Sequence, residues 1–160
     1  MTGDRIRLAQ FGVGRWGNHL LRNFLALPTV EVVAVVEPRT EQHTEICDKF
    51  GLADSVELTT VAVAVLFRAY IDAVAIASPA ATHYALIKTA LQQGKHVLAE
   101  KPLTLNVAES EELCALAEQN DLQLIIEHTY LFDLVVQAGQ SVLAKDTLGT
   151  LRFGYATRTY

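Results

Sequence analysis

The sequence predicts an α/β fold in which a doubly wound parallel sheet carries helices on both faces. Short β-branched apolar segments alternate along the chain with helical segments of about ten to fifteen residues. The apolar segments lack the polar–apolar alternation of half-exposed strands, which is typical of parallel strands buried on both faces. A glycine-rich turn joins the first of these strands to the first helix.

The predicted elements follow one another in regular order. Strands are predicted at 6–11, 31–36, 72–77, 96–99 and 123–127, and helices at 18–27, 41–50, 59–69, 82–93 and 106–119. Pro28 ends the first helix, Gly51 and Gly94 follow later helices, and Asn106 is a predicted N-cap. The tail, 151–160, alternates apolar and polar residues and is predicted to be a strand exposed on one side.

Composition limits the classes of function. The chain has 160 residues, 51% of them hydrophobic, which suits one ordinary folded domain. A net charge of −5 argues against nucleic acid as a partner. The first residues lack the basic and then apolar pattern of a secretion leader, and no apolar run reaches bilayer length. No metal-binding pattern is predicted, and the two cysteines are expected to be buried free thiols. We therefore expect a cytoplasmic protein without a membrane partner.

The glycine-rich turn has the sequence Gly12-Val-Gly14-Arg-Trp-Gly17. Gly12 allows the tight turn, Gly14 lets the backbone approach a pyrophosphate, and Gly17 lets the helix pack closely on the strand. Free N–H groups and the helix dipole favour negative charge at this end of the helix. The turn therefore predicts a dinucleotide site, with Arg15 and Trp16 lining it.

An acidic residue ends the second predicted strand. Glu37 lies twenty residues beyond Gly17, where a carboxylate accepts hydrogen bonds from the adenosine ribose in dinucleotide-binding folds. It would also repel a 2′-phosphate, so NAD is favoured over NADP as the cofactor. Arg39 could pair with such a phosphate or be an ordinary surface arginine, and both interpretations stay open.

Two further segments follow strands at the carboxyl edge of the sheet, where ligands of open α/β sheets bind. Ser78, Pro79 and His83 follow the third predicted strand, and Glu100 and Lys101 end the fourth. His83 is either a polar surface residue or part of the site. Lys101 could orient a substrate hydroxyl or assist proton transfer, with an ordinary surface lysine as the equal alternative. We count Ser78, Pro79, His83 and Glu100 among the candidate cofactor-binding residues.

Together these segments resemble the glucose–fructose oxidoreductase/inositol dehydrogenase (Gfo/Idh/MocA) family of NAD(P)-dependent oxidoreductases. The most specific matches are Ser78-Pro79-Ala-Ala-Thr82-His83, Gly94-Lys95-His96-Val97-Leu98 and Glu100-Lys101-Pro102-Leu103, in family order and at family spacing. The resemblance implies a Rossmann domain in which Ser78 and Pro79 pack along the cofactor. It also implies that Lys101 contacts the substrate near the nicotinamide, that its peptide bond to Pro102 is often cis, and that His128 lies near the active site.

The resemblance further implies a reaction and a missing part. Family members move a hydride between nicotinamide and the carbinol carbon of a sugar, sugar nucleotide or polyol. They carry a second α/β domain with a catalytic acid/base, whereas this sequence reaches only Tyr160, in what resembles that domain's first strand. We therefore expect residues 1–122 to form the dinucleotide-binding domain. Residues 123–160 would hold its last core strand, a linker helix and the first strand of a truncated substrate domain.

Two interpretations of function follow. The first is an NAD-dependent oxidoreductase present as its cofactor-binding half, whose activity alone the sequence leaves open. The second is a non-catalytic dinucleotide-binding or regulatory module. The missing acid/base favours the module, and the complete Glu100-Lys101-Pro102 segment favours the enzyme. The apolar face of the tail, at Leu151, Phe153 and Tyr155, predicts a homo-oligomer. The expected small-molecule partners are the dinucleotide and a sugar-like or polyol substrate.

Overall fold

The computed structural model describes residues 5–144, 149–150, 152–155 and 157. Its strands are β1 (Ile6–Phe11), β2 (Val30–Val36), β3 (Glu57–Thr59), β4 (Ala73–Ile76), β5 (His96–Glu100) and β6 (Leu124–Glu127). Its α-helices are α1 (Arg15–Ala26), α2 (His43–Phe50), α3 (Ala62–Leu66), α4 (His83–Gln92), α5 (Val107–Gln119) and α6 (Leu134–Ala144). The strands lie in the order β3-β2-β1-β4-β5-β6, and all neighbouring pairs are parallel. The predicted doubly wound α/β fold is confirmed.

Helices cover both faces of the sheet because the central strands are apolar on both sides. In β2, Ala34 and Val36 pack into the core formed with α3, α4 and α5. Val35, which lies between them in sequence, packs into the second core with Leu21 of α1 and Ile46 of α2. The chain reverses its direction of winding between β1 and β4. The crevice at their carboxyl ends is therefore the place where such a sheet binds ligands.

The contacts divide the chain into two units, Met1–Glu127 and His128–Tyr160. The first unit holds the whole sheet, including β6, which pairs with β5. The second holds a short 3₁₀ helix, Thr129–Phe132, and α6. In the described residues, every helix is too short or too polar to cross a lipid bilayer.

Segment 59–69 is not one helix, and this prediction was wrong. Thr59 ends β3, and the helix that follows covers only five residues. A three-residue strand is too short to show a hydrophobic period in sequence. The apolar run after it predicts a longer helix. The helix is in fact short, and only its Val65 and Leu66 are buried.

The predicted tail strand is absent from the part of the tail that the structure describes. Residues 152–155 and 157 have no regular secondary structure, and the other tail positions lie outside the described residues. A strand forms only where a neighbouring segment supplies ladder partners, and among the described residues none pairs with 152–155. Phe153 and Tyr155 are exposed side chains, and self-association through this apolar face stays a prediction.

The two cysteines are free, but both are exposed, which corrects the expectation that they are buried. The reason is their position on the helices. Cys47 follows the buried Ile46 on α2, and Cys114 follows the buried Leu113 on α5. Neighbouring helical positions point about 100° apart, so each sulfur lies on an outer face.

Candidate functional site

A cavity of about 1010 Å³ lies at the carboxyl edge of the sheet. This volume is at the upper end of the roughly 300–1,000 Å³ range of small-molecule and cofactor sites. The β1–α1 turn and the segments after β2, β4 and β5 all contribute to its walls. Its lining includes ten residues that the sequence singles out: Gly12, Gly14, Arg15, Trp16, Glu37, Arg39, Ser78, Pro79, Glu100 and Lys101.

The three glycines of the turn lack a side chain for different physical reasons. Gly12 has φ +88°, and a Cβ there would lie 2.8 Å from the Ala77 carbonyl oxygen. A Cβ on Gly17 would lie 2.2 Å from the Gly12 carbonyl oxygen. A Cβ on Gly14 would meet no protein atom within 4 Å. Gly12 and Gly17 are therefore required by the turn itself, whereas Gly14 keeps space open beside the cavity.

The first turn of α1 is open to a ligand. The helix begins at Arg15, three residues earlier than predicted, so Arg15 and Trp16 belong to its first turn. Its N-cap, Gly14, has no side chain to accept from the first-turn N–H groups, and the turn contains no acidic residue. Unoccupied N–H groups at the positive end of a helix bind anions. With the open space at Gly14, the turn fits a pyrophosphate.

Glu37 is the buried acid beside this turn, with 2% of its surface exposed. Its Oε2 accepts from the Val13 N–H at 3.0 Å and from Arg39 Nη2 at 3.1 Å. Its Oε1 accepts from the Arg39 N–H at 3.2 Å and from Arg39 Nε at 2.7 Å. A carboxylate has about four acceptor sites, so all of them are in use.

Arg39 decides the charge state and the availability of this acid. Burial alone would raise the pKa of Glu37, but hydrogen bonds from Arg39 and from the Val13 N–H outweigh burial and lower it. The carboxyl is therefore ionised at neutral pH. The Arg39 side chain is 48% exposed and can move, whereas the Val13 bond is part of the turn. The carboxylate can accept from another donor only after Arg39 releases it.

Ser78 and His83 organise the segment after β4. Ser78 Oγ shares a hydrogen bond of 2.6 Å with Thr82 Oγ1, which also donates to the Pro79 carbonyl at 2.7 Å. The His83 ring lies 2.8 Å from the Pro102 carbonyl oxygen through Nδ1 and 2.9 Å from the Ser78 carbonyl oxygen through Nε2. His83 is 1% exposed. It does not face the cavity as a cofactor-binding residue would, because carbonyls of two loops occupy both ring nitrogens.

Glu100 ends β5, and Lys101 follows it, at the far side of the cavity from Glu37. The peptide bond from Lys101 to Pro102 is cis, as the family resemblance implies. Glu100 is buried, and its Oε2 accepts from the Lys101 N–H at 3.2 Å. On the neighbouring strand its register partner is Glu127, whose buried Oε2 has no hydrogen-bond partner among the described residues. Two carboxyl groups therefore lie side by side next to the candidate lysine.

Glu127 is expected to make the fold less stable as pH rises. Burial and the neighbouring Glu100 carboxyl raise its pKa. A raised pKa in the folded state stabilises the protein below the unfolded value of about 4.3, and this stabilisation is lost as pH rises through the folded value. Glu127→Gln removes the charge, so we expect it to stabilise the chain at pH 7, on the order of 1 kcal/mol, and little at pH 4.

Denaturant unfolding at the two pH values measures this difference. Glu118→Gln, on an exposed position of α5, is the matched control and is expected to change stability little at either pH. A Glu127→Gln variant that is no more stable than the parent at pH 7 would contradict the expected repulsion.

His128 lies outside the sheet unit. It precedes the 3₁₀ helix of the second unit, and its side chain is exposed. Its place near the active site stays a prediction that rests on the family resemblance.

Sequence reasoning missed two side chains that hold the turn. Asn18 Nδ2 donates to the Val13 and Gly14 carbonyl oxygens, each at 2.8 Å. Gln10 Nε2 donates to the Gly12 and Gly17 carbonyl oxygens. Gln10 carried a usable signal, since it is a polar residue within an otherwise apolar stretch of the central strand, Leu8–Phe11. Asn18 carried none, because an asparagine in the first turns of a helix is common.

The sequence profile of an oxidoreductase family with an NAD-binding Rossmann fold matches residues 6–128. The dTDP-3,4-didehydro-2,6-dideoxy-α-D-glucose 3-reductase of Streptomyces violaceoruber is 32% identical over 153 residues. This match covers 93% of the present chain and 44% of the reductase. The chain thus spans less than half the length of this relative.

Two solved structures share the fold. A 3-ketoreductase from Actinomadura kijaniata, in complex with NADP and TDP-benzene, is 31% identical with a TM-score of 0.77, over 89% of this chain and 43% of that one. Scyllo-inositol dehydrogenase from Lactobacillus casei, with bound NAD(H) and scyllo-inositol, has a TM-score of 0.79 at 24% identity, over 91% of this chain and 43% of that one. The second likeness shows the fold alone. The structures of the two proteins contain different dinucleotides, NADP in the first and NAD(H) in the second.

Proposed function

The chain belongs to the Gfo/Idh/MocA family of oxidoreductases, and on this premise we propose that it is the dinucleotide-binding part of a sugar, sugar-nucleotide or polyol oxidoreductase. The observation that carries the proposal is the cavity that joins the open first turn of α1, Glu37 and Lys101. The reductase relative supports the substrate class, because its name specifies a nucleotide-linked deoxysugar. The chemistry is hydride exchange with a carbinol carbon.

Each wall of the cavity has a proposed task. The β1–α1 turn holds the pyrophosphate, and Glu37 holds the adenosine ribose. Ser78 and Pro79 line the path between them and β5, where Glu100 and Lys101 receive the nicotinamide end. The nicotinamide, when bound, supplies the hydride acceptor or donor. Lys101 Nζ donates a hydrogen bond to the substrate hydroxyl, orients it and assists the movement of its proton.

Nuclear magnetic resonance with two ligands tests this arrangement. NADH and ADP-ribose share the pyrophosphate, and only NADH has a nicotinamide. Both are expected to shift the backbone amides of Gly12–Gly17, and only NADH is expected to shift those of Glu100 and Lys101. S-adenosylmethionine, which has no pyrophosphate, is the control ligand. The proposal fails if neither dinucleotide binds, or if NADH leaves the Lys101 region unchanged.

We propose further that the site prefers NAD(H) to NADP(H). The buried, ionised Glu37 matches ribose hydroxyls and repels a 2′-phosphate. Arg39 opposes this preference, and a neighbouring cavity of about 250 Å³ is lined by Arg15, Arg39 and Lys49 together with Glu45. The outcome depends on which partner Arg39 takes. The buried carboxylate stays beside the turn, whereas the exposed Arg39 side chain can move away from it, so the carboxylate dominates the specificity.

Opposite changes at Glu37 and Arg39 are expected to shift the cofactor preference in opposite directions. We expect the parent chain to bind NADH about tenfold more tightly than NADPH, the equivalent of one charge-assisted hydrogen bond. Arg39→Ala frees Glu37 and should widen the gap, whereas Glu37→Gln frees Arg39 and should close or reverse it. Calorimetric titration with both cofactors measures the two constants. Arg22→Ala, at an exposed position on α1, is the control, and equal shifts in both variants would exclude this mechanism.

A further inference from the structure

Gln10 lies in the middle of the central strand and is completely buried. Its register partners are Val35 on β2 and Ala75 on β4, both of which are also fully buried. A polar side chain in such a place destabilises the fold unless hydrogen bonds compensate for its lost water. The contacts of the Gln10 amide therefore indicate why the residue is there.

The amide nitrogen of Gln10 joins the two ends of the glycine turn. Nε2 donates to the Gly12 carbonyl oxygen at 3.0 Å and to the Gly17 carbonyl oxygen at 2.7 Å. Both partners are acceptors, so only the amide nitrogen, with its two N–H groups, satisfies them together. A Cβ on Gly17 would lie 3.3 Å from this nitrogen as well as 2.2 Å from the Gly12 oxygen. The three groups share one small space.

The bond to Gly12 fixes the peptide that leads into the site. A peptide group is planar, so its carbonyl and the N–H of the following residue point in opposite directions. Gln10 holds the Gly12 carbonyl, and Glu37 Oε2 holds the Val13 N–H at 3.0 Å. This peptide is therefore held from both sides. The first-turn N–H groups of α1 follow directly from it in the chain.

The two hydrogen bonds of the Gln10 side chain both go to carbonyls of the glycine turn. Its Oε1 is buried and has no hydrogen-bond partner among the described residues. An apolar side chain of similar length would avoid that unsatisfied acceptor but would remove the donor that joins the Gly12 and Gly17 carbonyls. We propose that Gln10 is a positioning residue, which sets the spacing of Gly12 and Gly17 and so directs the N–H groups of the turn toward the pyrophosphate. This inference rests on the proposed dinucleotide function.

Gln10→Met keeps the length of the side chain and removes both donors. The variant is expected to bind NADH about tenfold more weakly, since two hydrogen bonds that shape the phosphate site are lost. Adenosine has no phosphate, so its affinity, measured by chemical-shift titration, should stay within about twofold. Leu113→Ala is the matched control, because it destabilises the core formed with α3, α4 and α5 and should leave NADH affinity unchanged.

The outcomes separate the inference from the function on which it rests. A parent chain that does not bind NADH overturns the proposed function and this inference with it. A parent that binds, with a folded Gln10→Met variant of equal NADH affinity or with equal losses for NADH and adenosine, overturns the inference alone.

A measurement on the unaltered chain decides the matter if Gln10→Met does not fold. The side-chain amide protons of Gln10 are expected to exchange slowly with water and to shift when ADP-ribose binds, but not when adenosine binds. Rapid exchange, or no shift with bound ADP-ribose, would refute the positioning role.

Discussion

Replacing Gly14 by valine is expected to weaken NADH binding by at least about 100-fold while the chain still folds. A Cβ at Gly14 meets no protein atom within 4 Å, so the substitution places its bulk in the open space beside the cavity. The backbone at Gly14 is extended, with φ −70° and ψ −162°, which valine adopts readily. Loss of even two charge-assisted hydrogen bonds to a pyrophosphate accounts for an effect of this size.

The other glycines cannot give such a clean result. A side chain on Gly12 or Gly17 would collide with backbone oxygens and disturb the turn before any ligand arrives. Gly139→Val is the matched control, because a Cβ on this glycine of α6 also meets nothing within 4 Å. Calorimetry gives the affinities and circular dichroism the melting temperatures. A folded Gly14→Val chain with parental NADH affinity would show that the pyrophosphate lies elsewhere.

The order of elements could be predicted from sequence because it depends on local patterns. Parallel strands such as β2 are buried on both faces and therefore read as continuous apolar runs. Residues at helix ends carry their own signals. Gly51, after α2, has a left-handed backbone conformation, and Asn106, before α5, accepts from the Ala108 N–H through Oδ1. The start of α1 was missed because Gly14 offers no side-chain cap, and β3 was missed because three residues show no period.

The position of the candidate site in the fold could be predicted from sequence, but the hydrogen bonds between its side chains could not. Sequence motifs singled out ten residues that line one cavity, because the carboxyl ends of parallel strands meet at one edge. The ion pair between Arg39 and Glu37 depends on a side-chain rotamer, which residue spacing does not specify. The burial of His83 depends on the carbonyl of Pro102, nineteen residues away, and only the folded chain brings the two together.

His83→Leu is expected to lower both the free energy of unfolding and the affinity for NADH. The ring joins the Ser78 and Pro102 carbonyls, and those two loops carry Ser78 and Lys101 into the cavity wall. Leucine removes both ring nitrogens, so the partly buried carbonyl oxygen that accepts from the ring N–H loses its donor, at a cost of about 1–3 kcal/mol. Without the His83 ring, the loops that contain Ser78 and Pro102 can separate, so we expect NADH to bind about tenfold more weakly.

Conservative variants of His83 distinguish hydrogen bonding between the two loops from simple packing of the ring. Asparagine can present an amide nitrogen near the position of Nδ1 and glutamine near that of Nε2, so each offers a donor to one of the two carbonyls. Both His83→Asn and His83→Gln should therefore recover part of the lost stability and affinity. Leu91→Ala, at a buried position on the same helix, should cost about 2–5 kcal/mol without changing NADH affinity. If His83→Leu behaves like Leu91→Ala, with reduced stability and unchanged affinity, the ring stabilises the fold but does not set the geometry of the cofactor site.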